Sequence, residues 1–270
     1  MDYSTELREA LAAADAASKY LTAEYAAFTP IPDAPAHIST HADRGAQELI
    51  LKHLHAVFPA DGLVAEENTP TAALAPIGAA RTWVIDPIDG TKGFAIKNGE
   101  FSVMIGLTVG DRPVVGVVAE PTLTRVTYAA KGLGCFVKVG DAEPVRCGVT
   151  TCDALQRATL TQSHSRPGKT KPIPALLAPA RVVETYSAGI KLAMVARGEA
   201  DVYVNSYPEF HDWDVCAGEV LVIEAGGVVC EFDGGIVQYG RRGAKRRGGL
   251  VACTPGLQAD VVAFLSKPRV

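Results

Sequence analysis

The stretch Trp83-Val84-Ile85-Asp86-Pro87-Ile88-Asp89-Gly90-Thr91-Lys92-Gly93-Phe94 decides how the rest of the chain reads. An apolar, β-branched run leads into Asp86, and the pattern predicts a strand that ends there. Pro87 fixes φ near roughly −65° and removes a donor, so it stops the ladder. Asp89 follows three residues later, and a turn would bring both carboxylates to one side. Gly90 permits a positive φ or a close backbone approach. A helix beginning near Thr91 would aim its free amides at the same place, where an anion is favoured. Carboxylates beside an anion site require a cation to neutralise them, and oxygen-only ligands of this kind suit Mg²⁺. Asp-Pro and Asp-Gly are also common turn formers, so at this point a plain turn remains an equal reading.

Other acidic residues shift that balance. Glu66 and Glu67 follow a short apolar run, Gly62-Leu63-Val64-Ala65, and so stand at a second strand end. Asp214 lies in His211-Asp212-Trp213-Asp214, where a helix is expected to begin. Taken singly, Glu66 reads as a solvated loop acid, Asp214 as a first-turn helix acid and Asp212 as an N-cap. Thr40-His41-Ala42-Asp43 fits a capping box at another helix start.

Outward from these motifs, the chain divides in texture. Leu7, Leu11, Ala14, Leu21 and Tyr25 predict a first helix with Ser4 as its cap. Ala46, Leu49, Ile50, Leu54, Val57 and Phe58 predict the buried stripe of a second, over about 41–58. From Leu63 the runs LVAEE, TWVID, FSVMIGLTV, RPVVGVVAEP and RVTYAA predict strands, several in antiparallel succession. After Thr150 strand and helix alternate: RATLTQS, ADVYVNS and GGLVACT as strands, GIKLAMVARG, residues 213–225 and LQADVVAFL as helices. The expectation is an α/β chain, α+β first and α/β later, in an N-terminal part (1–150) that carries the acidic motif and a C-terminal part (151–270).

Composition bounds the possibilities. The 270 residues are 48% hydrophobic and 21% charged with a net charge of −4, which excludes global disorder and argues against a nucleic-acid coat protein. No apolar run is long enough to span a bilayer, and the acidic N-terminal residues do not resemble a secretory signal. Six cysteines without a CxxC pair read as reduced, scattered thiols of a cytoplasmic protein. The basic run 241–247 reads as a solvated loop, or as an attractor for a polyanionic substrate.

WVIDPIDGTKGF, with HDWDVCAGEVLVIEAGG downstream and AEEN upstream, resembles the inositol monophosphatase superfamily of Mg²⁺-dependent, lithium-sensitive phosphatases over roughly residues 5–265. GTKGF followed by Asn98-Gly99-Glu100-Phe101, the segment Thr161-Gln162-Ser163-His164-Ser165 and the turn Gly189-Ile190-Lys191 are similar to the 3′(2′),5′-bisphosphate nucleotidase branch. The resemblance implies a layered αβαβα sandwich, the sugar-phosphatase fold. It implies a first Mg²⁺ on Glu66, Asp86 and the Ile88 carbonyl and a second on Asp86, Asp89 and Asp214, with Glu66 reaching a third. It implies phosphate on the Gly90 and Thr91 amides and the Thr91 hydroxyl, and Asp43 with Thr91 as the pair that deprotonates the attacking water. Ser163, His164, Gly189 and Lys191 become substrate-binding residues, although His164 in a loop and Lys191 on a helix would otherwise read as solvated. Glu209 lies near where the inositol phosphatases place a sugar-contacting acid.

The expected activity is hydrolysis of adenosine 3′,5′-bisphosphate to AMP and phosphate. The alternatives are an inositol monophosphatase, a histidinol-phosphatase, or a non-catalytic metal-dependent phosphate sensor. The expected partner is a small phosphorylated substrate, with neither nucleic acid nor membrane, acting on a monomer or homodimer.

Overall fold

The computed structural model describes residues 2–35, 38–76, 78–164, 172–207, 210–239 and 249–266. Ser165, Glu209 and the basic run 241–247 lie outside them. The first helix, α1 (Ser4–Ala27), buries Ala10, Ala13, Ala14, Ala17 and Leu21 at helical spacing. Its cap position is Tyr3, not Ser4; Ser4 already lies in the first turn, with its amide 2.9 Å from the Asp2 carboxylate. The second, α2 (His41–Val57), begins at Thr40 with the expected capping box. Ala46, Ile50 and Leu54 are buried as the spacing predicts. Leu49 and Val57 are instead 42% and 43% exposed, because the buried row runs through Gln47 and Leu51.

Seven strands form the first sheet in sequence order: β1 (Gly62–Ala65), β2 (Arg81–Asp89), then after the short α3 (Thr91–Ala95) β3 (Ser102–Val109), β4 (Arg112–Glu120), β5 (Arg125–Ala130), β6 (Gly134–Val139) and β7 (Val145–Arg146). β1 runs parallel to β2; the other pairs are antiparallel. The second sheet comes from β8 (Thr159–Gln162), α4 (Pro172–Leu177), β9 (Arg181–Glu184), α5 (Ala188–Ala196), β10 (Val202–Asn205), α6 (Cys216–Glu224), β11 (Val228–Cys230), β12 (Leu250–Cys253) and α7 (Gln258–Leu265). Its order is β11-β12-β10-β8-β9, with β8 parallel to both β9 and β10.

Each strand's alternation divides its residues between two cores. Trp83, Ile85, Val103 and Ile105 face α1 and α2, while Val84 and Met104 face α5 and α6. Tyr203, Leu250 and Ala252 close that middle layer from the second sheet. Leu160, Val202 and Val251 pack outward with Ile173 and Leu177 of α4 and Val261 and Leu265 of α7. Both sheets are thus covered on both faces, giving the αβαβα sandwich of an α/β protein. The helix expected over 213–225 starts only at Cys216, so Asp214 sits in the turn before it. Its far end closes as expected on Gly226 and Gly227, whose amides reach the Ile223 and Val222 carbonyls at 3.0 and 2.8 Å. None of the six cysteines is in a disulfide. Among the described residues no helix is long and apolar enough to cross a membrane.

Candidate active site

In a regular strand, residues three apart point to opposite faces, so Asp86 and Asp89 would diverge. The structure resolves this with a bulge rather than by ending the strand. Asp86 pairs with Met104 and Asp89 with Ser102, three residues on β2 against two on β3. The extra residue turns both carboxylates to one side. Asp86 Oδ1 accepts the Ile88 amide at 3.0 Å and holds the bend. Parallel pairing of β1 with β2 sets Ala65 beside Ile85, so Glu66 emerges next to Asp86 and their carboxyls hydrogen-bond. Asp214 arrives from the turn before α6, with its Oδ2 held by the His211 amide at 2.6 Å. One carboxylate oxygen from each of Asp86, Asp89 and Asp214 lies within 4.8 Å of the other two.

These charges are not balanced from within. Among the described residues none of Glu66, Asp86, Asp89 and Asp214 has a Lys or Arg ion-pair partner; His211 Nδ1 stands 3.8 Å from Asp214. Burial, then repulsion from Glu66, Asp89 and Asp214, pushes Asp86 well above the usual carboxylate range. Burial and then Asp89 do the same to Asp214. Glu66 is pushed up to about 8 by the protein packed around it and then by Asp43. Glu66 stands exposed at the rim of the cluster, where Asp43, Glu67 and Asp89 repel its charge. A hydrogen bond between two carboxyls needs a proton, which the Glu66–Asp86 pair shares. An all-oxygen, acid-rich donor set that otherwise has to take up protons suits a hard divalent cation.

The sign of the linkage follows. A carboxyl whose pKa is raised on folding binds more protons folded than unfolded, so stability falls as pH rises from the unfolded value through the folded one. For Glu66 that window runs from 4.5 to about 8; Asp86 and Asp214 act in the same direction. The metal-free protein is expected to melt at progressively lower temperature from pH 5 to 8, and the rise in Tm caused by Mg²⁺ to widen over the same range. Melts in chelator and in magnesium check this, and a magnesium effect that shrinks with pH would overturn it.

Beside the acids, Gly90 adopts φ 85° and leads into α3. A Cβ there would sit 2.7 Å from the Glu100 carbonyl oxygen. Thr91 Oγ1 lies 3.1 Å from Asp43 Oδ1 and 2.8 Å from the Ile88 carbonyl. Asp43 divides its contacts between its two oxygens, since its Oδ2 accepts the Thr40 amide and hydroxyl, each at 2.7 Å. Burial raises the Asp43 pKa, against the Thr40 and Thr91 hydrogen bonds that hold it down.

The second sheet supplies the opposite wall. Lys191, 1% exposed, is no surface charge. Its Nζ donates to the Thr185 and Tyr186 carbonyls at 2.9 and 3.0 Å and to Ser163 Oγ at 3.2 Å. The Gly189 amide donates to Asp89 Oδ2 at 2.6 Å. His164 Nε2 meets Glu100 Oε2 at 2.6 Å, and its ring packs on Tyr186 with centroids 4.4 Å apart. Glu100, Tyr186, Ser187 and Ser102 contact these candidate residues, and sequence reading did not single them out. Glu100 stood inside a quoted motif, but Ser187 carried only the weak signal of a serine before a helix.

The inositol monophosphatase family model matches residues 2–266. Histidinol-phosphatase of Mycobacterium tuberculosis is 31% identical over 263 residues, covering 95% of this chain and 96% of its own. The 3′(2′),5′-bisphosphate nucleotidase CysQ of Salmonella typhimurium is 31% identical over 201 residues, 74% of this chain and 78% of its own. The inositol monophosphatase structure from Anabaena superposes with a TM-score of 0.79 at 25% identity, covering 98% of this chain and 96% of that one. A model that runs nearly end to end, on a fold and an acidic cluster of the kind the sequence motifs imply, leaves one conclusion: the chain belongs to the inositol monophosphatase family.

Proposed function

We propose that this family phosphatase is a Mg²⁺-dependent phosphomonoesterase that removes the 3′-phosphate of adenosine 3′,5′-bisphosphate, giving AMP and phosphate. One observation carries the substrate assignment. Ser163 and Lys191, from two separate nucleotidase-like motifs, meet at 3.2 Å, and Gly189 of the second motif bonds Asp89 at 2.6 Å. The two motifs therefore form a single wall against the acid cluster.

In this reading Glu66, Asp86 and the Ile88 carbonyl hold one Mg²⁺, and Asp86, Asp89 and Asp214 hold a second, with Glu66 able to reach a third. Bound Mg²⁺ supplies the charge that acidifies the attacking water and offsets the phosphoryl and leaving oxygens. The Gly90 and Thr91 amides receive the phosphoryl group. Thr91 Oγ1 has one proton; giving it to Asp43 Oδ1 leaves its lone pairs free to take a proton from water. The raised pKa of Asp43 suits a proton acceptor better than an ordinary carboxylate would. Ser163, His164, Gly189 and Lys191 build the wall that meets the rest of the substrate.

A second reading is histidinol phosphate. Glu100 and Glu184 flank the His164 ring nitrogens at 2.6 and 3.6 Å, a negative rim that suits a cationic alcohol phosphate. The test is kcat/KM at saturating magnesium for adenosine 3′,5′-bisphosphate, histidinol phosphate and inositol 1-phosphate. The nucleotide is expected to lead by about tenfold or more. A comparable lead for either other substrate would replace the substrate assignment. Calorimetric binding of all three without phosphate release would replace the enzyme by a sensor.

A further inference from the structure

Asp89 is buried, and its Oδ2 is claimed entirely by the protein. It accepts the Ser187 hydroxyl and the Gly189 amide at 2.6 Å, and Ser102 Oγ stands 3.4 Å away. Ser187 is fully buried and caps α5, with its Oγ accepting the Ile190 amide at 2.9 Å. Ser102 Oγ lies 2.9 Å from Ser187 Oγ.

An ionised carboxylate only accepts, so Ser187 must donate to Asp89. Its two lone pairs then take the Ile190 amide and the Ser102 hydroxyl. In this arrangement every donor and acceptor of Ser187 is used. The turn that carries Ser187 is fixed from beneath by Lys191, through the Thr185 and Tyr186 carbonyls. It is fixed against β3 by Gly189, where a Cβ would sit 2.7 Å from Ser102 Oγ and 2.8 Å from Met104 Sδ. A side chain 98 residues downstream thus dictates how Asp89 stands.

We propose that Ser187 is a positioning residue: its hydroxyl, locked as the cap of α5, pins one oxygen of Asp89 and so fixes how that carboxylate stands toward Asp86 and Asp214, with which it would hold a cation. This goes beyond the choice of substrate and rests on the reading of Asp89 as a metal ligand. Hydrogen bonds to a ligating group orient it and raise its basicity, and losing one commonly weakens metal binding by roughly 10–100-fold. The prediction concerns metal affinity first and turnover only through it.

The experiment is calorimetric titration of metal-free protein with Mg²⁺, alongside the magnesium and substrate dependence of phosphate release. S187G removes the hydroxyl while keeping a residue tolerated at helix caps. It is expected to weaken Mg²⁺ binding about tenfold, with KM for substrate at saturating magnesium changed less than about twofold. S187T, which restores a hydroxyl, is expected to recover most of that affinity. Wild-type Mg²⁺ affinity in S187G would overturn the proposal. So would an S187T that binds no better than S187G while melting like the wild type. If S187G does not fold, S102A decides: it leaves the cap intact, removes one donor from Ser187, and is expected to weaken Mg²⁺ binding by about threefold. Unchanged affinity there refutes the cluster. D89N separates the two levels, because Mg²⁺ affinity that survives D89N refutes Asp89 as a ligand, whereas affinity lost in D89N but kept in S187G refutes only the role of Ser187.

Discussion

Asp86→Asn is expected to cut phosphate release by on the order of 10³ or more, and in the same variant to raise the melting temperature of the metal-free protein. Both effects come from one charge. The Asp86 carboxylate, 2% exposed, lies between Glu66 on one side and Asp89 and Asp214 on the other. With cations present it is the ligand that both ion positions would share, and an amide there is a much poorer donor to Mg²⁺. Without cations it is a buried acid surrounded by like charges, and folding must either protonate it or bear the repulsion. Asparagine keeps the Oδ1 that accepts the Ile88 amide at 3.0 Å, so the bend between Asp86 and Asp89 survives. Magnesium should reverse the order of stability, raising the wild type and leaving the variant nearly unmoved. Near-normal turnover would remove Asp86 from the centre. A metal-free variant that melts below the wild type at pH 8 would mean that like-charge crowding is not what strains the cluster.

How much of this was legible in sequence depended on the range over which the information acts. The strands β1 to β5 were read from β-branched runs and turn residues a few positions apart. That Asp86 and Asp89 share a side was also anticipated, but the device was not. The strand was expected to stop at Asp86, whereas it continues to Asp89 through a bulge whose existence depends on pairing with β3. Asp43 presented two competing readings, cap or active-site group. The two are compatible, as the sequence already allowed: the Thr40 bonds take one carboxylate oxygen and the Thr91 hydroxyl meets the other.

Lys191 was read equally as surface charge or substrate contact, and its burial was missed. The signal was present: Ala188-Gly189-Ile190-Lys191-Leu192-Ala193 offers no polar face, as expected for a helix held between two sheets. A lone lysine in such a helix must find oxygens inside the fold. The bonds of Glu100 to His164, 64 residues away, and of Ser187 to Asp89, 98 residues away, were out of reach of pattern reading, because they exist only once the two sheets have closed on α5.

Thr91→Val separates proton transfer from binding. Valine keeps the branched shape in a buried position and removes only the hydroxyl that stands between Asp43 and the Ile88 carbonyl. If Thr91 passes a proton from water to Asp43, kcat should fall by about 10²–10⁴. Calorimetric Mg²⁺ affinity and KM should meanwhile stay within about threefold, because neither the acid cluster nor the Gly90 and Thr91 amides are altered. Thr91→Ser restores an oxygen at the same place and should recover most of the lost rate. The stability cost is expected to be small, about 1–2 kcal/mol, since Asp43 keeps both Thr40 hydrogen bonds and loses one acceptor contact. An equal loss in Mg²⁺ affinity and in kcat would assign Thr91 to holding the Ile88 carbonyl in place for a cation. Full activity in the valine variant would require water to lose its proton directly to a carboxylate of the cluster, and Asp43 would then be a helix cap alone.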